Sequence, residues 1–208
     1  VNANNQLLKQ ICSYLQPTSQ PTSQPTSQPN SQPKSQSTSQ PNSQPTSQST
    51  SQPTSQSTSQ LTDEELDEKI ASVLKHLKNL GFNFLTIDFD QTMVDIHTLG
   101  NWLGTSEDLA NHLRPLFLKL ISMAIDRGFY VAVVTFSGQT KLITNVLRIA
   151  FPKYIDLICI RGNDGSWSYN GQSSENGKQR HMASAAEELR SRFINAKITR
   201  ATTLLIDD

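Results

Sequence analysis

The 208-residue chain carries 18 basic and 18 acidic side chains, so it has no net charge at neutral pH and no global field that would favour nucleic acid or an acidic membrane surface. Its two cysteines, Cys12 and Cys159, lie in unlike settings, which excludes a disulfide framework and leaves Cys159 as a small core residue. No apolar run is long enough to span a bilayer and no secretory leader pattern is visible, so the expected compartment is cytoplasmic; the chain begins at Val1, which is compatible with a leader upstream.

Residues 1–16 hold Leu7, Leu8, Ile11 and Leu15 at roughly helical spacing, enough for a short interaction helix and too little to fold alone. Residues 17–60 repeat the unit PTSQ, varied as STSQ, PNSQ and PKSQ. The repeat has almost nothing apolar to set against the entropy of ordering, so it is predicted to be a disordered linker with polyproline II bias. Its Ser, Thr and Pro content also suits a glycosylated stalk, and its Ser-Gln pairs a phosphorylated tether. The absence of any Asn-x-Ser/Thr acceptor disfavours the secreted version.

Residues 61–208 have a normal apolar share and suit one domain. Thr62 with Glu65 forms a capping-box pattern and Leu61 can staple to Leu66. Leu66, Ile70, Val73, Leu74, Leu77 and Leu80 give one apolar helical face, and Gly81 suits the stop. Phe84, Leu85, Thr86 and Ile87 then read as a strand buried on both faces, ending in Asp88 and Asp90. Residues 93–104 are predicted to be a loop or flap over the strand end. Thr105 or Ser106 caps a short helix through about Leu113, and a second helix runs from Pro115 to Arg127 with Gly128 closing it.

Phe129 to Thr135 is a second doubly buried strand, and Ser137 and Gly138 offer a cap to a helix from Gln139 to Ala150. A third strand is predicted over residues 155–160, a polar glycine-spaced loop over 161–177, a helix opening at Lys178, and a fourth strand over 202–206 before Asp207 and Asp208. Strands alternating with helices predict parallel pairing and a three-layer, Rossmann-like α/β sandwich. A chain closing on a strand tip predicts a last strand at or near the middle of the sheet with an exposed edge, hence a truncated sheet incomplete at its carboxyl end.

Two carboxylates one residue apart against an apolar strand repel each other and are penalised by desolvation, which suggests a bound metal. In a parallel sheet, Asp88 and Asp90, Thr135, Lys178, and Asp207 and Asp208 all face the same crevice beyond the strand ends. That set holds a nucleophile, an acid/base, a hydroxyl, a cation and metal ligands, the parts phosphoryl transfer needs. Taken singly, Thr135 reads as a strand-end cap, Lys178 as a solvated helix residue and the terminal acids as a polar end. His97 and Trp102 fall in the flap, where they can touch substrate or brace the loop; His76, His112 and His181 are assigned no role.

DFDQT at 88–92 resembles motif I of the haloacid dehalogenase-like (HAD) superfamily, VAVVT ending at Thr135 resembles motif II, Lys178 the motif III lysine, and LLIDD ending at Asp208 the motif IV acid pair. The resemblance spans residues 84–208. It implies a HAD-type fold and a magnesium-dependent phosphatase or phosphotransferase with an aspartyl-phosphate intermediate. By resemblance, Asp88 is the nucleophile and Asp90 the acid/base, Thr92 supports the turn beside the phosphate site, and Thr135 and Lys178 contact the phosphoryl group. Mg2+ is then held by Asp88, the Asp90 carbonyl, and Asp207 or Asp208. A minimal cap is expected, with a small phosphate ester or a phosphoprotein as substrate. The rival reading is a catalytically silent domain of this fold used for binding, with the repeat tract as tether or stalk; the presence of both Asp88 and Asp90 argues against it.

Overall fold

The computed structural model describes residues 62–171 and 177–208. The amino-terminal segment, the repeat tract and the expected Leu61 staple lie outside the described residues. Helix α1 (Asp63–Asn79) starts where its sequence predicts: the Thr62 hydroxyl accepts from the Glu65 N–H at 3.3 Å while the Glu65 carboxylate accepts from the Thr62 N–H at 2.8 Å. It ends at Gly81, whose φ of 88° is a left-handed conformation that side chains resist. Ile70, Leu74 and Leu77 form its buried face.

Four strands follow, β1 (Phe84–Ile87), β2 (Tyr130–Val134), β3 (Ile158–Arg161) and β4 (Thr203–Ile206). They form one parallel sheet in the order β3-β2-β1-β4, with Ile87 level with Val133 on one side and Ile206 on the other. Between them lie α2 (Ser106–Ala110), α3 (Pro115–Asp126), α4 (Thr140–Ala150) and α5 (Gln179–Arg192). Strand alternation divides the core. Leu85, Ile87, Val131 and Val133 face a large cluster built with α1, α3 and α4, whereas Phe84, Ala132, Val134 and Cys159 face Ala185, Ala186 and Leu189 of α5. Helices on both faces explain why β1 and β2 read as unbroken apolar runs, each fully buried aliphatic or aromatic side chain contributing about 1.5–3 kcal/mol. Burial pushes the Cys159 thiol up to about 12, as befits a core residue.

Three details differ from expectation. Residues 155–157 form a 3-10 turn, because Phe151 O accepts from Ile155 N–H and Tyr154 O from Leu157 N–H; β3 therefore starts only at Ile158. Helix α2 ends at Ala110, since Leu113 is drawn into an antiparallel bridge with Val94. Strand β4 has the expected exposed edge but stands at the margin of the described sheet, not at or near its middle. No helix among the described residues is long and apolar enough to cross a membrane.

Candidate functional site

The chain leaves β1 through a tight turn over Phe89–Met93, in which Gln91 takes a left-handed φ of 60°. A non-glycine residue held there costs about 1 kcal/mol or more, so the turn must be braced from outside. The brace is visible: Gln91 N–H donates to Ile96 O at 3.0 Å, and the Arg114 guanidinium donates to Gln91 O at 2.6 Å. The turn aims Asp88 and Asp90 in different directions.

Asp88 is buried at the carboxyl end of β1, its N–H donating to Ile206 O at 3.0 Å. The Lys178 ammonium lies 2.9 Å from Asp88 Oδ1 and 2.6 Å from Asp207 Oδ1, bridging residues from three elements. On the other side, the Thr92 hydroxyl donates to Asp88 Oδ2 at 3.4 Å and accepts from the Asp208 N–H at 3.1 Å. One hydroxyl thus ties the first strand tip to the last. Burial pushes the Asp88 carboxyl up to about 6, and the Asp207 carboxylate adds to this, against the pull of Lys178. For Lys178, burial works downward, but its hydrogen bonds to Asp207 and Asp88 outweigh it and hold the ammonium above the ordinary lysine range.

Carboxylate oxygens of Asp88, Asp207 and Asp208 all lie within 4.8 Å of one another. Three carboxylates against one ammonium leave an excess of negative charge at an all-oxygen donor set, chemistry that fits a hard divalent cation such as Mg2+. Asp207 is already paired with Lys178, so Asp208 is the acid of the two whose carboxylate is not tied to the lysine.

Asp90 stands apart from this trio. Its Oδ1 accepts from the Thr98 N–H at 2.7 Å, and His97 Nδ1 lies 3.7 Å away while accepting from Leu99 N–H. The flap therefore grips one oxygen of Asp90 and leaves Oδ2 for other business. A second grip comes from Gln139 at the start of α4: its Oε1 accepts from Trp102 N–H at 2.6 Å and its Nε2 donates to Trp102 O at 3.1 Å. Trp102 is thus a brace of the flap.

Thr135 lies at the same sheet end, level with the turn after β1, fully buried, with its Oγ1 accepting from the Ser137 N–H at 3.1 Å. Ser137 Oγ in turn accepts from Gln139 N–H, but α4 begins at Thr140 with Gln139 as its N-cap and no side-chain cap, so the cap expected from Ser137 and Gly138 is not formed. Asp88, Thr92, Lys178, Asp207 and Asp208 are brought together; Asp90 flanks them, and Thr135 shares their edge of the sheet.

Four neighbours escaped sequence reasoning: Phe136, Asn163, Gln139 and His181. His181 had a signal, because it follows Lys178 by three residues and so shares its helical face. Gln139 and Asn163 had none, their partners being fixed only by tertiary folding. Comparison with protein-family models, curated proteins and solved structures finds no match for this chain.

Proposed function

We propose that the chain is a magnesium-dependent phosphatase of HAD-like type working through an aspartyl-phosphate. The observation that carries this reading is the Lys178 ammonium, 2.9 Å from Asp88 and 2.6 Å from Asp207, beside a third carboxylate at Asp208. Such a buried lysine neutralises charge that a phosphoryl group brings to Asp88. The order of the motifs in the chain and their placement at one end of a parallel sheet support the family assignment.

In this mechanism a carboxylate oxygen of Asp88 attacks phosphorus, forming a new P–O bond as the ester oxygen departs with a proton from Asp90. The Asp90 carboxylate then takes a proton from water, which attacks the aspartyl-phosphate, releasing inorganic phosphate and restoring Asp88. Thr98 fixes Asp90 Oδ1, which assigns the proton to Oδ2. Thr92 keeps Asp88 in place, and the Thr135 hydroxyl, whose oxygen accepts from Ser137, keeps its proton for a phosphoryl oxygen. Asp88, Asp208 and the Asp90 carbonyl, with Asp207 beside them, would hold the ion. Bound there, magnesium supplies positive charge to the phosphoryl oxygens.

Short helices and loops packed on the sheet fill the intervals after β1 and β2 among the described residues, an arrangement that suits an open site with a minimal cap. The test is hydrolysis of a generic aryl phosphate by the full chain with Mg2+. Activity lost in Asp88→Asn is the expected result; turnover unchanged in that variant removes Asp88 as nucleophile.

A further inference from the structure

Beside Lys178 the loops after β2 and β3 enclose a cleft of about 420 Å³ that the proposed chemistry does not use. Among the described residues its walls include Phe136, Asn163, Trp167, Tyr169, Arg180 and His181, none of which is a carboxylate. The cleft adjoins the reactive centre, because the Lys178 ammonium that touches Asp88 also lies 5.5 Å from the centre of the Phe136 ring.

Its walls are fixed before any ligand arrives. Trp167 Nε1 donates to Gly162 O at 2.7 Å, and Asn163 N–H donates to Ser137 O at 3.0 Å, zipping the two loops together. The zip needs glycine: a Cβ on Gly162 would come within 2.4 Å of Ser137 O. His181 stands between Phe136 and Trp167, edge-to-face with both, at centroid distances of 5.5 and 4.8 Å.

Two features have no use in packing alone. Phe136 is 53% exposed at the mouth of the site, an aromatic face turned to solvent one residue beyond Thr135. His181 is 5% exposed; its Nε2 is 2.8 Å from Asn163 Oδ1, to which it donates, while Nδ1 is buried with no hydrogen-bond partner. A buried acceptor costs free energy until something donates to it. Burial, with Lys178 and Arg180 nearby, holds His181 below the usual imidazole range, so Nδ1 remains a lone-pair acceptor.

We infer that this cleft is the leaving-group subsite and that it takes the nucleoside part of a nucleoside monophosphate. Aromatic faces at Phe136 and Trp167 suit a planar base, which stacks on them without demanding one sequence of ring atoms. Arg180 and the Asn163 amide offer donors to ring acceptors. The volume lies within the roughly 300–1,000 Å³ of small-molecule sites and exceeds what one phenol ring fills. The inference rests on the phosphatase reading for the position of the phosphate, and the test separates the two.

The full 208-residue chain carrying Asp88→Asn is titrated with adenosine monophosphate, phenyl phosphate and glycerol phosphate in Mg2+, following tryptophan fluorescence, with Trp167→Phe to separate the Trp102 signal. Adenosine monophosphate is expected to bind at least about tenfold more tightly than glycerol phosphate, and Phe136→Ala to cut that ratio by about tenfold, as loss of one stacking face requires. Phe136 is exposed enough for its removal to leave the fold intact. Equal binding of the three esters, phenyl phosphate matching adenosine monophosphate, or a ratio untouched by Phe136→Ala overturns the subsite. Selective nucleotide binding by a wild-type chain that hydrolyses no phosphate ester keeps the cleft and overturns the phosphatase. Hydrolysis of all three esters at equal rates keeps the phosphatase and overturns the cleft.

Discussion

Two ion clusters in this molecule are built from similar parts and end differently. At the strand tips, one ammonium at Lys178 pairs with Asp88 and Asp207, and the Asp208 carboxylate lies beside them. Beside β3, the Arg161 and Arg192 guanidiniums both pair with Glu188, and Arg161 also donates to Ser184 and to Ile160 O. The second cluster is saturated by its own hydrogen bonds and pins α5 to the sheet. The first is left negative and gathered from residues far apart in sequence, a cost that stability alone does not repay. An excess of carboxylates, one buried and two exposed, suits a cation site, whereas the second cluster has two guanidiniums sharing one carboxylate.

The sharpest way to break the contrast is to remove the proposed acid/base beside the strand tips. Asp90→Asn is expected to lower kcat by about 10²–10⁴-fold in steady-state hydrolysis, with the variant folded. Next, Lys178→Met leaves Asp88 and Asp207 facing each other. Urea unfolding should show a loss of about 3 kcal/mol at pH 8, and a smaller loss at pH 5, where Asp88 takes up a proton.

Acid should separate the clusters by sign. Asp88 has its folded value raised to about 6, so its contribution is greatest below the ordinary carboxylate range and is lost as pH rises through 6. In chelator, Asp88 is expected to contribute about 1 kcal/mol more at pH 5 than at pH 7, read as the difference between the wild-type chain and Asp88→Asn, because His181, held low, works in the opposite direction. Burial alone would raise Glu188, but the Arg161 and Arg192 charges outweigh it and hold its carboxyl low. Its contribution is therefore present above the ordinary glutamate value and lost as pH falls further, below about 4. The smallest effect is expected from Glu188→Gln: about 1 kcal/mol of stability by thermal unfolding, with hydrolysis unchanged.

What could be read from residues alone follows the same division. Strands β1 and β2 were legible because burial on both faces leaves an unbroken apolar run, and α1 because Thr62 and Glu65 state its start. The run beginning at Ile155 misleads, since Ile155 and Leu157 look like strand while a 3-10 turn winds them, with Leu157 left 38% exposed. Asp88, Lys178 and the terminal acids were legible as a set because every parallel strand delivers its tip to one side. The partners of Asp90 were not: a backbone N–H at Thr98 carries no sequence signature. The same holds for Gln139, whose two bonds to Trp102 depend on how the flap folds back.

The shared hydroxyl of Thr92 has a consequence for biosynthesis. Its two partners, Asp88 and the Asp208 N–H, follow β1 and β4, and the bond to Asp208 spans 116 residues. At about 5–20 residues per second, a ribosome needs on the order of ten seconds to deliver the second after the first. Until β4 docks beside β1, Asp88 has neither its lysine bridge to Asp207 nor its anchored hydroxyl. A nascent chain therefore holds Asp88 in an unfinished setting until β4 arrives.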